Sequence, residues 1–211
     1  MSSQASPLQW DDATGEPYLA VPSHPGIRIT PLRDGEDEVA ALVRVNNAPS
    51  VGRWFFSRPY PYSAGDARGH LAAALPSQTR AIAQLASGDA GAAALPALTA
   101  VRDAQGGYIG DVGLYPADGG TPAPYGLLYA LDPGHHARGL GTAVVQTYLA
   151  WLDALGLGHV EAVIQTDNVP SSKLVARLGF ALLETKGSRW PEAKGGDVRE
   201  VGVWVRGSSA S

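Results

Sequence analysis

A chain of 211 residues without cysteine cannot rest on disulfides, hold a Cys-ligated metal or carry an acyl group on a protein thiol. Its formal charge of -4, with 16 Lys and Arg against 20 Asp and Glu, argues against a nucleic-acid partner, which needs a basic face for phosphates. The apolar share of 45% is that of a folded domain, and no apolar run reaches the roughly 18 residues of a membrane span. A soluble, cytoplasmic protein with no membrane partner is the expectation.

Residues 1–26 hold Pro7, Pro17, Pro22 and Pro25 with little periodicity and are expected to form an extended or disordered segment. One folded domain is expected over 27–206, followed by a disordered small-residue tail at 207–211. Ile27 to Leu32 alternates as a strand, and Val39, Leu42 and Val43 then recur at helical spacing. The stretch from Val51 to Tyr62 is aromatic, and it either packs on the core or walls a substrate pocket through Trp54, Phe55, Tyr60 and Tyr62. Ser63 and Asp66 open a helix that reaches Leu85 and that Pro76 should interrupt; Ser87 to Ala94 reads as a loop. Leu95–Arg102 and Tyr108–Tyr115 predict an antiparallel pair about the turn at Gln105-Gly106-Gly107, and Tyr125–Leu131 predicts a buried strand.

The next segment carries the chemistry. After that strand comes Asp132-Pro133-Gly134-His135-His136-Ala137-Arg138-Gly139-Leu140-Gly141-Thr142, and then a helix with Leu140, Val144, Tyr148, Trp151 and Leu155 on one stripe. A glycine-rich turn between a strand end and a helix N-terminus offers free backbone N–H groups and a favourable dipole to an anion. A P-loop would need Lys before Thr142, and a dinucleotide fold would need Gly at Val144, although Glu161 lies at a ribose-binding spacing. His135 and His136 lack a third ligand at metal-binding spacing, so no metal is expected. No Gly-x-Ser-x-Gly occurs, which disfavours a serine hydrolase.

His159 to Gln165 alternates as a strand, completing a right-handed βαβ unit. Asp167 or Asn168 then caps a helix that has Pro170 in its first turn and ends at Gly179. His136-x-x-Gly139-x-Gly141 resembles the Gln/Arg-x-x-Gly-x-Gly/Ala motif of the GNAT N-acetyltransferase superfamily, with His in place of Gln or Arg. Asn168-x-x-Ser171 followed by Leu178-Gly179-Phe180 is similar to a second motif of that superfamily, in the style of its RimJ/RimL branch. Tyr60-Pro61-Tyr62-Ser63 and Tyr129-x-Leu131-Asp132-Pro133 share the resemblance.

The resemblance implies an α/β GNAT fold, a mixed, twisted central sheet flanked by helices, with a βαβ cradle for coenzyme A. It implies acetyl transfer from acetyl-CoA to a primary amine, on a small molecule or a protein N-terminus. Arg138, Gly139, Leu140, Gly141 and Thr142 would take the pyrophosphate with His136, and the backbone of Ala130 and Leu131 would pair with the pantetheine arm. A bulge near Tyr129 would supply N–H groups to the oxyanion. Ser171 would serve the leaving thiolate, and Asn168 would orient the arm. Relatives place a Glu on the strand that here reads Tyr125 to Tyr129, which has no acid. The base is then a water relay, Asp111, Asp132 or His135. Arg53 is either a partner for a substrate carboxylate or structural, and the loop Lys186 to Asp197, with Trp190, is a further pocket wall. A non-catalytic acyl-CoA-binding module and a nucleotide-linked oxidoreductase are the alternatives.

Overall fold

A computed structural model describes residues 7–88, 95 and 97–207. The strands are β1 (Leu8–Trp10), β2 (Pro17–Ala20), β3 (Arg28–Thr30), β4 (Ala100–Arg102), β5 (Tyr108–Pro116), β6 (Tyr125–Leu131), β7 (Val160–Gln165), β8 (Ala181–Arg189) and β9 (Val198–Arg206). The helices are α1 (Glu36–Asn47), α2 (Pro49–Gly52), α3 (Ala64–Ser87), α4 (Leu140–Ala154) and α5 (Val169–Arg177). One sheet takes the order β1-β2-β3-β4-β5-β6-β7-β9-β8, antiparallel throughout except for the parallel pair β6/β7. This is the mixed, helix-flanked sheet that the sequence predicts.

Each helix has a local reason to form. Glu36, Asp37 and Glu38 in the first turn of α1 suit its positive end. Ser63 and Asp66 make a reciprocal capping box on α3. α4 is apolar around most of its circumference, and Leu140, Val144, Val145, Tyr148, Leu149, Trp151 and Leu152 are all buried. It packs on β2, β5 and β6, while α1 packs on β5 and α3.

Three expectations are corrected. The segment expected to be an extended or disordered strap contributes β1 and β2 to the sheet. Leu19 is fully buried opposite Ile29, and Arg28 binds Asp11 at 2.8 Å. Pro17 is tolerated because it is the first residue of its strand. α3 is not interrupted at Pro76. Leu71 on one side of the proline and Ala81 and Leu85 on the other are buried, and buried Gln78 exchanges two hydrogen bonds with the Leu32 backbone, at 2.8 and 2.9 Å. These contacts hold the two halves in line against the lost backbone bond. Lys186 to Arg189, expected within a loop, belong to β8. The 1–6 segment, most of the 87–94 loop and the tail at 208–211 lie outside the described residues.

Candidate active site

The site begins where β6 and β7 part. β6 pairs with β5 in unbroken register from Tyr125↔Pro116 to Leu131↔Gly110, and the Asp132 N–H donates to the Ile109 carbonyl at 2.8 Å. In an antiparallel ladder successive backbone groups turn to opposite sides. Those of Gly126, Leu128 and Ala130 therefore serve β5, and those of Tyr129 and Leu131 point towards β7. On that side the parallel pairing covers only Tyr125↔Val160 and Gly126↔Glu161, and beyond it the strands diverge. Two expectations change. Ala130 has its backbone turned to β5, and Tyr129 takes its place beside Leu131 in the gap. No bulge interrupts β6; the irregularities lie at Val101/Arg102 and Leu182/Glu184.

The glycine-rich turn closes the wide end of this gap. Gly139, at φ 76°, caps α4, and Ala137 is left-handed at φ 58°. The Ala143 N–H is bonded back to the Gly139 carbonyl at 3.1 Å, so the N–H groups ahead of it in the first turn have no carbonyl of their own helix to reach. Gly139, Gly141, Thr142 and His136 line the cavity, and the Leu140 side chain is buried in the core. The Arg138 side chain is exposed and is not part of the cavity wall. Its carbonyl accepts from His24 Nε2 at 3.2 Å, and His136 Nε2 donates to the Leu131 carbonyl at 2.8 Å. Two histidines therefore brace the turn, one of them from the N-terminal segment.

Across the gap α5 presents its first turn. Asn168 caps the helix, and its Oδ1 accepts from the Ser171 N–H at 3.4 Å. Ser171 Oγ and the Tyr129 hydroxyl meet at 2.5 Å. Burial pushes the Tyr129 phenol up to about 12, with the Ser171 hydrogen bond opposing. The hydroxyl therefore stays protonated at neutral pH and remains a donor.

These groups line one cavity of about 1150 Å³. Val160, Ala162 and Ile164 of β7 pack into the core with α4, so Glu161, Val163 and Gln165 face the opposite side of the sheet. There the cavity is walled by Trp54, Phe55, Trp190 and Phe56, which meets Trp190 edge-on at 5.1 Å. Lys194 Nζ donates to the Phe55 carbonyl, joining the aromatic loop to the β8–β9 loop. Tyr60 and Tyr62 are not in the wall. Tyr60 lies over Gly52, where a Cβ would stand 2.5 Å from its ring, and Tyr62 is buried with α1 and α3 and bonded to Asn47 through its backbone.

Of the base candidates, Asp111 is bound to Arg58 at 2.8 Å and accepts from the Tyr108 hydroxyl at 3.0 Å. Asp132 pairs with Arg44 and caps the turn at Gly134. Only His135 faces the cavity. The carboxylate that the sequence reading assigned no such role is Glu161. It is 2% exposed, lines the cavity and accepts from the Thr121 hydroxyl at 2.6 Å. It stands opposite Gly126, on the very strand where an acid is missing. Tyr115 crosses Gly126, where a Cβ would come within 2.1 Å of its ring, and burial, reinforced by Glu161, pushes its phenol to about 12. The alternation of Val160, Ala162 and Ile164 around Glu161 was the available signal.

An open parallel pair, a glycine-capped helix N-terminus and a hydroxyl pair thus meet at one cavity. Residues 27–181 match the family model described as an acetyltransferase (GNAT) domain, and the chain belongs to that family. Over 83 residues it is 37% identical to a mycothiol acetyltransferase of Clavibacter michiganensis subsp. michiganensis (strain NCPPB 382). That stretch is 39% of this chain and 26% of the relative, so the chain spans about a quarter of that protein's length. The structure of RimL, a ribosomal L7/L12 alpha-N-protein acetyltransferase, superposes with a TM-score of 0.65 at 15% identity, covering 94% of this chain and 98% of that one. A spermidine N-acetyltransferase from Vibrio cholerae, in complex with CoA and spermine, gives 0.60 at 15% identity, covering 87% and 95%. At such identities these two establish the GNAT fold.

Proposed function

We propose that this chain is an acetyl-CoA-dependent N-acetyltransferase of the RimJ/RimL-like branch, acting on a primary amine. The observation that carries the reading is the parted β6/β7 pair. It runs into the Gly139 turn at the start of α4, with the Tyr129–Ser171 contact at its edge. The residues fit the donor: Gly139 and Gly141 leave backbone N–H groups open to a pyrophosphate, and the Tyr129 and Leu131 backbone can pair with pantetheine amides as an added strand. Acetyl-CoA supplies the acetyl group as a thioester.

The chain's residues then have three tasks. Glu161 takes the proton that the amine sheds as its N–C bond forms, through water where the reach requires it. The Tyr129 N–H faces the gap and can hydrogen-bond the oxygen that gains charge. As the C–S bond breaks, the Ser171–Tyr129 pair donates to the sulfur. His136, bonded to Leu131, holds the shape of the turn instead of reaching for phosphate.

A thermal-shift titration with acetyl-CoA, with NADH and ATP as controls, tests the reading. At about 100 times Kd the donor should add about 2.7 kcal/mol, a rise of roughly 5–10 °C for a chain of this size. An equal or larger rise with NADH, or none with acetyl-CoA, would overturn it.

A further inference from the structure

We infer that His24 is a positioning residue for the donor: from the β2–β3 hairpin it fixes the Arg138–Gly139 peptide so that the Gly139 N–H is presented to the coenzyme's pyrophosphate. The inference rests on the acetyltransferase reading. It adds to that cavity a part held from the N-terminal strands, ahead of the matched residues 27–181.

The turn that opens α4 has no strand ladder to set its direction. Ala137 and Gly139 are both left-handed, at φ 58° and 76°. A peptide beside glycine can turn over at little steric cost. Here its direction is set from outside the turn, because the Arg138 carbonyl accepts from His24 Nε2 at 3.2 Å. In a trans peptide the carbonyl and the following N–H point in opposite directions. With the Arg138 carbonyl turned to His24, the Gly139 N–H is turned away from it. Gly139 lines the cavity and His24 does not, so that N–H lies on the cavity side. It makes no hydrogen bond among the described residues, and it leads the run of open donors at the start of α4. His136 acts differently. The Leu131 carbonyl that it binds shares its peptide with the Asp132 N–H, which is already spent on Ile109.

His24 is held as a strut. In the loop at 21–27, the Val21 N–H donates to the Ile27 carbonyl at 3.1 Å, the His24 N–H to the Val21 carbonyl at 3.0 Å and the Ile27 N–H to the His24 carbonyl at 3.0 Å. Pro22 and Pro25 stiffen the chain on either side. Gly26, at φ 86°, lets the loop press on the β4–β5 turn, where a Cβ would stand 2.7 Å from the Ala104 Cβ. Both ring nitrogens are committed as well, since Nδ1 meets Ser23 Oγ at 3.0 Å. A carbonyl only accepts, so the ring carries its proton on Nε2, and the Ser23 hydroxyl donating to Nδ1 holds that tautomer. β2 also packs on α4, so the same strands support the helix and aim the donor ahead of its first turn.

The test is equilibrium titration of the full chain with acetyl-CoA and with S-acetylpantetheine, which carries the same thioester arm without the pyrophosphate. His24→Phe keeps a ring and loses the donor, and His24→Gln returns an amide N–H near the place of Nε2. His24→Phe is expected to weaken acetyl-CoA by on the order of 10-fold and to leave S-acetylpantetheine within about twofold, the size of one lost hydrogen-bonded position. His24→Gln should recover most of that affinity. Water can take the ring's place on the Arg138 carbonyl, so the melting temperature should stay near wild type. Both thioesters meet the same folded molecules, so the ratio of their affinities is insensitive to any change in stability. Equal losses for the two thioesters, unchanged acetyl-CoA affinity in His24→Phe, or no recovery in His24→Gln would overturn the inference and leave acetyl transfer standing. A wild-type chain that binds acetyl-CoA no more tightly than S-acetylpantetheine, or binds neither, would overturn the coenzyme cradle itself.

Discussion

Ser171→Ala should lower kcat by on the order of 10²-fold while leaving acetyl-CoA affinity close to that of the wild type. The reason is where the hydroxyl sits. Ser171 is in the first turn of α5 and meets the Tyr129 hydroxyl at 2.5 Å at the edge of the β6/β7 gap. An unassisted serine is a poor acid, but here it has a phenol behind it whose proton burial holds to about pH 12. Such a pair donates to a developing thiolate without either member ionising at neutral pH. Tyr129→Phe should therefore lose a similar factor, and the double variant little more than either single, because residues that act as a unit are not additive. The pH profile carries the same signature. Burial raises the phenol's pKa, so the donor is present below about 12 and kcat should show no loss from this group between pH 7 and 10. Losses that multiply in the double variant would separate the two roles, and an unchanged kcat in Ser171→Ala would remove that residue from the reaction.

The parts of this site that were legible are those written in consecutive residues. Gly139 and Gly141 between an apolar strand and an apolar helix announce a tight turn that opens a helix, and Gly139 caps α4 there. Asn168 three residues before Ser171 announces a capped turn. What a linear reading cannot give is the pairing that decides which face a residue occupies. Glu161 reads as a ribose-binding acid by spacing, and only the pairing of β7 with β6 and β9 turns it into the cavity opposite Gly126. Asp111 and Asp132 read as free acids because Arg58 and Arg44, 53 and 88 positions away in sequence, are not visible beside them. Ala130 was exchanged for Tyr129 because backbone direction alternates, and a single position reverses it. β1 and β2, of three and four residues, are too short for alternation to show, and their evidence is burial of Leu19 against Ile29.

A different kind of charge holds the frame. Glu38→Ala should destabilise the fold by about 3–5 kcal/mol, lowering the melting temperature by on the order of 10 °C. Glu38 on α1 grips Arg102 on β4 through two bonds, of 2.7 and 3.0 Å, with both side chains almost wholly buried. Arg102 also donates to Thr30 Oγ1 at 2.9 Å and to the Pro31 carbonyl at 3.2 Å, and Glu38 accepts from the Arg33 N–H. Removing the carboxylate leaves a guanidinium in the interior with no counter-charge, and that uncompensated ion dominates the loss. The double variant Glu38→Leu with Arg102→Met should be more stable than Glu38→Ala alone, since it removes the ion as well as its partner. Because α1 contributes no residue to the cavity wall, kcat of the folded fraction at low temperature should stay within about twofold of wild type. The buried arginine is fully partnered and serves the frame, whereas Arg53 at the cavity stacks on Trp54 and has no carboxylate partner among the described residues. Denaturant melts of the three variants decide it: a double variant no more stable than Glu38→Ala would show that the pair's value lies in packing instead of charge.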